Sequence, residues 1–159
     1  FLSGEMESTS TELSFQIVQI QNDMIPDTSS LLNACLPICN PPPFYRLCLA
    51  CHPSFQLAAI VNGTVVGTIA CTMSLRSLLV IAIAVKAAYR RYGIGSALMR
   101  AILEEARKEH LKEVVLHVQQ CNTEAIAFYK HCGFQEKELI PDYYKRLHCT
   151  AAYRMVYTI

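Results

Sequence analysis

The sequence predicts an α/β fold in which a mixed central β-sheet carries helices on both of its faces. Residues 78–85 form an unbroken apolar run, which is typical of a strand covered on both sides. Helical patterns follow two of the predicted strands, at 96–109 and 123–131. Strands that alternate with helices in this way indicate helices packed on a sheet.

The first half of the chain contains the signals of a strand, two short helices and a hairpin. They lie, in order, at 14–20 (strand), 28–36 (helix), 45–51 (helix), 57–61 (strand) and 64–73 (strand). Asp27 is the predicted N-cap of the first helix, and Pro37 ends it. The prolines at 41–43 require an extended or turning loop. Asn62-Gly63 between two apolar runs is a strong hairpin signal.

The second half alternates more regularly between strands and helices. Predicted strands lie at 79–85, 113–119, 136–140 and 152–157, and the last two flank a loop at 142–146. The helix at 96–109 has one apolar face, formed by Met99, Ile102, Leu103 and Ala106. The helix at 123–131 has Asn122 as its predicted cap and Gly133 as its end.

Composition excludes several classes of function. Of the 159 residues 52% are hydrophobic and 17% charged, which argues against a disordered chain. A formal net charge of +1 without a basic block argues against nucleic-acid binding. No apolar run approaches the roughly 20 residues of a membrane span, and no signal peptide is visible. We therefore expect a flexible tail (1–13) and one domain (14–159), located in the cytoplasm or also the nucleus.

A glycine-bearing turn between a strand and a helix is the most informative motif. It reads Arg90-Arg91-Tyr92-Gly93-Ile94-Gly95. Glycines let the backbone approach a ligand, and the N–H groups of the first helical turn attract a pyrophosphate. Arginine side chains add positive charge. A nucleoside-triphosphate loop would need Gly-Lys-Ser/Thr, and the dinucleotide fingerprint would need a third glycine, so both fit worse.

This Arg-x-x-Gly-x-Gly turn resembles the acyl-CoA loop of the GNAT acetyltransferase superfamily. Further motifs extend the resemblance over 89–147: Leu116-His117-Val118, Asn122 with Phe128-Tyr129, Gly133-Phe134 and Tyr143-Tyr144-Lys145-Arg146. Together they are most similar to the San-type N-α-acetyltransferases, the catalytic subunits of NatE. The resemblance implies the GNAT acyl-CoA N-acyltransferase fold, acetyl-CoA as co-substrate and no metal. It also implies protein N-termini as substrates, and a NatA-type complex as a partner.

The resemblance assigns roles to individual residues. His117 would be the general base, a task that suits an unperturbed pKa of about 6.5. Tyr129 would face the thioester sulfur and protonate the departing thiolate. Acetyl-CoA would be held by Ile83, Val85, Arg90, Arg91, Gly93, Ile94, Gly95, Ser96, Asn122 and Tyr129. The peptide would be held by Leu36, Pro37, Ile38, Asn40, Ile81, Tyr143 and Tyr144, and the apolar wall at 36–38 suits an N-terminal methionine.

The chain departs from the family pattern at two positions. Leu79 stands where the family has a second tyrosine base, and Asn40 stands where it has a tyrosine that contacts substrate. These departures keep two alternatives open: acetylation of a lysine side chain or small amine, and a catalytically weak subunit with a scaffolding role.

Eight cysteines raise the question of metal or haem binding. Cys48-x-x-Cys51-His52 spells a haem attachment pattern, and Cys35, Cys39, Cys48, Cys51 and His52 could bind zinc. The simpler interpretation is that most of them are small buried apolar residues.

Overall fold

The computed structural model of the chain describes residues 13–36 and 52–159. Seven strands and three helices lie in this part: β1 Gln16–Gln19, α1 Ile25–Cys35, β2 Gln56–Val61, β3 Thr64–Ser74, β4 Ser77–Val85, α2 Ile94–Lys108, β5 Glu113–Gln119, α3 Thr123–His131, β6 Gln135–Ile140 and β7 Ala152–Thr158. Short 3₁₀ turns precede α1, β2 and α2. The predicted helix at 45–51, the prolines at 41–43 and the predicted tail, apart from Leu13, lie outside the described residues.

The seven strands form one mixed sheet in the order β1-β2-β3-β4-β5-β7-β6. Neighbouring strands are antiparallel except for β4 and β5, which are parallel. The β4–β5 ladder covers only three pairs, from Ser77–Glu113 to Leu79–Val115. The longer remainders of both strands have no pairing with each other, so the sheet opens in its middle.

Helices cover both faces of the sheet, which confirms the predicted fold class. The larger core lies under α2 and α3, and the apolar face predicted for α2 is buried in it. On the opposite face α1 packs its Leu31 and Leu32 against small residues of β2, β3 and β4. Small strand side chains such as Ala58, Ala70 and Ala82 let this helix lie close to the sheet.

A β-bulge interrupts β4. Ala70 pairs with Ala82, while the next residue of β3, Cys71, pairs with Val80, so Ile81 is the extra residue. Val80 accordingly packs in the core under α2, and Ala82 packs in the core under α1. The uniformly apolar sequence of this strand hid the bulge, because alternation cannot be recognised where both faces are apolar.

Local signals placed most elements correctly, and the main errors concern helix starts. The Asn62-Gly63 turn is confirmed, and both residues have the positive φ (49° and 77°) that this hairpin requires. The prediction of Asp27 as N-cap is wrong: α1 begins at Ile25, where Pro26 fixes the first-turn geometry, and Asp27 lies inside that turn. Likewise α2 begins at Ile94, two residues earlier than predicted.

Candidate active site

A cleft of about 800 Å³ opens where β4 and β5 diverge. Both strands contribute walls, the first two turns of α3 contribute Asn122, Ala125 and Tyr129, and the loop before β7 closes one side. Among the predicted site residues, the cleft is lined by Leu36, Ile81, Ile83, His117, Asn122, Tyr129, Tyr143 and Tyr144. The divergence of β4 and β5 therefore brings the end of α1, both of these strands, α3 and the loop before β7 together around one cleft.

The glycine turn leads from β4 into α2 and supplies an anion-binding geometry. Arg91 and Gly93 both have left-handed backbone (φ 70° and 81°), and Gly93 is the N-cap of the helix. The first intrahelical bond runs from Ala97 N–H to the Gly93 carbonyl (3.0 Å), so the N–H groups before it have no partner in the helix. Such a turn is suited to binding a diphosphate through its N–H groups. Residues 93–96, which were predicted to bind the cofactor, lie at this turn.

Two side chains at this turn also have structural roles. Arg90 donates from Nε to the carbonyl of Val85 (2.9 Å), which fixes the end of β4 against the turn. Ile94 is one of the residues whose backbone N–H groups were predicted to bind the cofactor, and its side chain is 1% exposed and belongs to the core. Only its backbone N–H remains for a ligand, because helix geometry turns this side chain towards the sheet.

Gly95 lies at a crowded point between α2 and α3. A Cβ added there would come within 3.3 Å of the Phe128 ring and 4.0 Å of Val85. The absence of a side chain at Gly95 therefore lets α3 approach the start of α2. A Cβ added at Gly93 would contact nothing within 4 Å, so that glycine is needed for its backbone conformation and not for space.

His117 lies on the face of β5 that α2 does not cover, since its neighbours Leu116 and Val118 point into the core. The Tyr143 ring stacks on its imidazole with centroids 4.7 Å apart and planes inclined by 16°. Across the ladder His117 is opposite Arg154, which in turn is opposite Glu138 of β6. Arg154 also approaches Glu113 at 3.7 Å.

These surroundings lower the pKa of His117. Partial burial is the main cause, because it disfavours the imidazolium. The positive charge of Arg154 lowers the pKa further, and the carboxylate of Glu138 opposes the effect. His117 is therefore neutral at pH 7 and has a nitrogen lone pair available to accept a proton.

Tyr129 lies deep in the cleft, in contact with the rings of Phe128 and Phe134. Burial raises the pKa of its hydroxyl to about 12, and the nearby phenol of Tyr144 adds to the effect. The pKa of Tyr144 is also raised to about 12, again mainly by burial. Both hydroxyls remain protonated near neutral pH, so they act as hydrogen-bond donors and not as bases.

Asn122 caps α3 as predicted, with its Oδ1 accepting from Ala125 N–H at 3.1 Å. The cap leaves the amide Nδ2 as a possible donor to a ligand in the cleft. Leu79 is part of the cleft wall, near the start of the divergence, and so is Ile81. The predicted peptide-binding residues Pro37, Ile38 and Asn40 lie outside the described residues.

Sequence reasoning missed the electrostatic partners of His117, namely Arg154 and Glu138. It also missed Gly67 of β3, where a Cβ would come within 3.0 Å of Ile94 and 3.3 Å of Leu98. An isolated glycine inside a strand was the available signal for this close approach. No comparable signal existed for Arg154, since only strand pairing places it opposite His117.

Residues 13–36 and 52–159 contain no group of three or more His, Cys, Asp or Glu side chains that could hold a metal ion. Three cysteines of the predicted zinc set, Cys39, Cys48 and Cys51, lie outside this part. Within the same ranges no helix has the length and apolar character needed to cross a bilayer.

Comparisons with known proteins agree with this architecture. The model of the acetyltransferase (GNAT) family matches residues 23–134. The probable N-acetyltransferase san of Drosophila melanogaster is 36% identical over 94 residues, which are 56% of this chain and 51% of that protein. The chain thus matches about half the length of this curated relative.

Two solved structures share the fold over nearly the whole chain. Arabidopsis thaliana Naa50, in complex with the bisubstrate analogue CoA-Ac-MVNAL, has a TM-score of 0.85 at 27% identity and covers 92% of this chain and 100% of its own. Ard1 from Thermoplasma volcanium has a TM-score of 0.86 at 28% identity, with 92% of this chain and 99% of its own covered.

Proposed function

This chain belongs to the GNAT acetyltransferase family, and from that premise we propose that it transfers the acetyl group of acetyl-CoA to the N-terminal amine of proteins. The observation that carries the proposal is the cleft between β4 and β5. β5 presents the neutral imidazole of His117, α3 presents the protonated phenol of Tyr129, and the glycine turn lies between β4 and α2. Such a transfer requires a proton acceptor, a hydrogen-bond donor and a site for the diphosphate of acetyl-CoA.

The turn at 91–96 would hold the diphosphate through its backbone N–H groups, helped by the charges of Arg90 and Arg91. The pantetheine arm of acetyl-CoA, which leads to the thioester, would lie against Ile83, Val85 and the Asn122 amide. Bound acetyl-CoA would supply an acetyl group activated as a thioester. His117 would take a proton from the ammonium group through water, and the lone pair exposed in this way makes the amine a nucleophile.

Tyr129 would then act as a donor to the sulfur. Burial raises the pKa of this phenol to about 12, whereas a thiol in solution has a reference pKa of about 8.5. A thiolate that leaves towards solvent therefore holds a proton less tightly than Tyr129 does. We infer that the hydroxyl stabilises the developing charge by a hydrogen bond.

Leu79 affects how the N-terminal ammonium group of the substrate would lose its proton. It adds an apolar surface to the cleft, where the family pattern has a second base. An N-terminal amine has a reference pKa of about 7.7–8.0, so a fraction of it is already neutral at pH 7. A single base can therefore suffice, which leaves His117 as the principal proton acceptor.

The proposed substrates begin with methionine followed by an apolar residue. Leu36 and Ile81 form an apolar wall of the cleft, and neither presents a charge that would favour a polar first side chain. The analogue bound to Naa50 carries the peptide MVNAL, which begins in this way. By the same likeness we propose a NatE-type role, with an auxiliary acetyltransferase complex as partner and a cytoplasmic or nuclear location.

A second candidate function is a catalytically weak subunit, and Leu79 is the observation that favours it. A peptide-library assay with acetyl-CoA distinguishes the candidates. We expect acetyl groups on the α-amine, with Met-Leu peptides ahead of Ser-Glu peptides by about 1–3 kcal/mol in kcat/KM. Acetylation of lysine side chains alone, or no turnover by a protein that still binds CoA, would contradict the proposal.

A further inference from the structure

Two cysteines lie where the ladder between β5 and β7 ends. The ladder's last pair is Gln119–Ala152, and one further bond follows, from Gln120 N–H to the carbonyl of Ala151 (2.9 Å). Cys121 comes next on one side and Cys149 lies on the other. Strand pairing thus brings together two thiols that are 28 positions apart in the chain.

The two residues are in direct contact. Cys121 donates its backbone N–H to Sγ of Cys149 at 3.3 Å, and Gln119 donates from Nε2 to the Cys149 carbonyl at 3.0 Å. A hydrogen bond between the two thiols is also the main reason that the pKa of Cys121 is raised. The two sulfur atoms are therefore neighbours in the folded chain, and both thiols are free.

Access from solvent is the second property of this pair, although Cys35 and Cys132 are half-buried to the same degree as Cys149. Cys121 is exposed and Cys149 half-buried, so an oxidant can reach them from solvent. Cys71 is completely buried, and burial raises the pKa of its thiol. Cys132 is half-buried and contacts no second cysteine among the described residues, which makes it a natural control.

We propose that Cys121 and Cys149 form a reversible disulfide that fastens the loop at 141–151 to the start of α3. A peroxide is the oxidant. It converts one thiol to a sulfenic acid and releases one water; the second sulfur then attacks the sulfenic sulfur, the S–S bond forms and a second water leaves. A dithiol reductant reverses the reaction by thiol–disulfide exchange.

The position of the loop gives this bond a consequence for the cleft. Tyr143 of the loop covers one face of the His117 ring, and Tyr144 N–H is bonded to the carbonyl of Thr150 (2.9 Å), next to Cys149. A peptide that reaches His117 from the loop side requires Tyr143 to move. A disulfide at the base of the loop restricts that movement, so oxidation slows acetylation; this consequence rests on the proposed function.

The disulfide itself is tested by peptide mapping, which does not depend on any activity. Trypsin places Cys121 in the fragment 113–130 and Cys149 in the fragment 147–154, each with a single cysteine. After treatment with hydrogen peroxide we expect the two fragments joined, at their summed mass less two hydrogen atoms, and separate again after dithiothreitol. Fragments that stay separate, or cross-links between two protein molecules, overturn the proposal.

The regulatory consequence is tested by acetylation of a Met-Leu peptide. Peroxide should lower kcat/KM of the wild-type protein by about 10- to 100-fold, the scale on which misplacement of a site affects rate, and dithiothreitol should restore it. Cys149→Ser should keep its activity in peroxide, whereas Cys132→Ser should lose it as the wild type does. If the joined fragments form without any change in rate, the bond is structural and the switch is refuted. A reduced protein without turnover refutes the proposed function instead, and the mapping result stands.

Discussion

At the scale of single residues, burial sorts the ionisable groups of the cleft into donors and acceptors. The low dielectric of a buried site disfavours charge, so it raises the pKa of a phenol and lowers that of an imidazole. Tyr129 and Tyr144 accordingly keep their protons, while the neutral form of His117, which has a free nitrogen lone pair, is favoured. Burial thus favours the uncharged form of both the phenols and the imidazole near pH 7.

The first prediction concerns the Tyr129 hydroxyl. Tyr129→Phe should lower kcat by about 10²–10⁴-fold, with CoA affinity unchanged, because the hydroxyl contributes only when charge develops on sulfur. Steady-state kinetics together with calorimetric titration of CoA measure both quantities. The edge contacts with Phe128 and Phe134 survive the substitution, so the melting temperature serves as the control. Equal kcat values in the two proteins would remove Tyr129 from the mechanism.

The second prediction concerns the pH profile of kcat/KM. His117 must be neutral to accept a proton, and its lowered pKa places the rising limb of the profile below 6.5. A limb set by the substrate amine would lie at about 7.7–8.0. His117→Gln should lose the lower limb and about 10²-fold or more in rate. Full activity of this variant from pH 6 to 9 would show that His117 only packs.

Two charged neighbours of His117 provide a matched pair of variants that should shift the rising limb of the pH profile in opposite directions. Arg154→Gln removes a positive charge opposite the imidazole and should move the limb to higher pH. Glu138→Gln removes a negative charge and should move it to lower pH. Shifts of the same sign in both variants would mean that a change in packing, and not charge, controls the pKa of His117.

At the scale of elements, the position of α2 depends on one glycine of β3. Ile94 and Leu98 of α2 lie directly over Gly67, where a Cβ would be within 3.0 and 3.3 Å of their side chains. Both residues belong to the first five of the helix, which follows the glycine turn proposed to hold the diphosphate. The strand interior therefore sets the height at which the N–H groups of the turn stand above the sheet.

The third prediction follows from this contact. Gly67→Ala should lift the start of α2, cost about 1–3 kcal/mol of stability as overpacking does, and weaken CoA binding although Gly67 is buried below the site. Gly63→Ala in the hairpin turn is the matched control, because an alanine at the left-handed φ of 77° costs about 1–2 kcal/mol while its Cβ would contact nothing within 4 Å. Calorimetry should show weaker CoA binding only for Gly67→Ala; equal affinities in both variants would contradict the coupling.

At the scale of the whole molecule, the sheet consists of two parts that diverge. β1 to β4 form one part and β5 to β7 the other, and only three residue pairs of the parallel β4–β5 ladder join them by backbone bonds. Packing in the core under α2 and α3 also joins the two parts, because this core includes side chains from both. A ligand in the cleft would touch both walls and add to this connection.

The fourth prediction is therefore a thermal one. Acetyl-CoA at about 100 times its Kd should stabilise the fold by about 2.7 kcal/mol, which for a chain of this size corresponds to a rise in Tm of about 5–10 °C. Differential scanning calorimetry with increasing acetyl-CoA measures the rise. Adenosine, which lacks the diphosphate and the thioester arm, is the control ligand. A similar rise with adenosine alone would argue against the turn at 91–96 as the main anchor.

The sequence alone determined those elements that depend on interactions between residues near one another in the chain. The Asn62-Gly63 turn, β5 at 113–119 and α3 with its Asn122 cap were predicted with their observed bounds, because turn residues, alternation and capping act between near neighbours. Motif spacing also led to the family and to the cleft residues His117 and Tyr129. The start of α1 was misplaced, since Asp27 and Pro26 are both acceptable start signals and only the packing of that turn selects between them.

Only the tertiary structure decided which groups meet across the sheet. The stacking of Tyr143 on His117, the position of Arg154 opposite that imidazole and the contact of Cys121 with Cys149 join residues 26 to 37 positions apart. Their meeting depends on the register of β5 with β7 and on the path of the loop between β6 and β7. Register is a property of two strands together, set by how both bury their apolar faces, so neither strand's own sequence contains it.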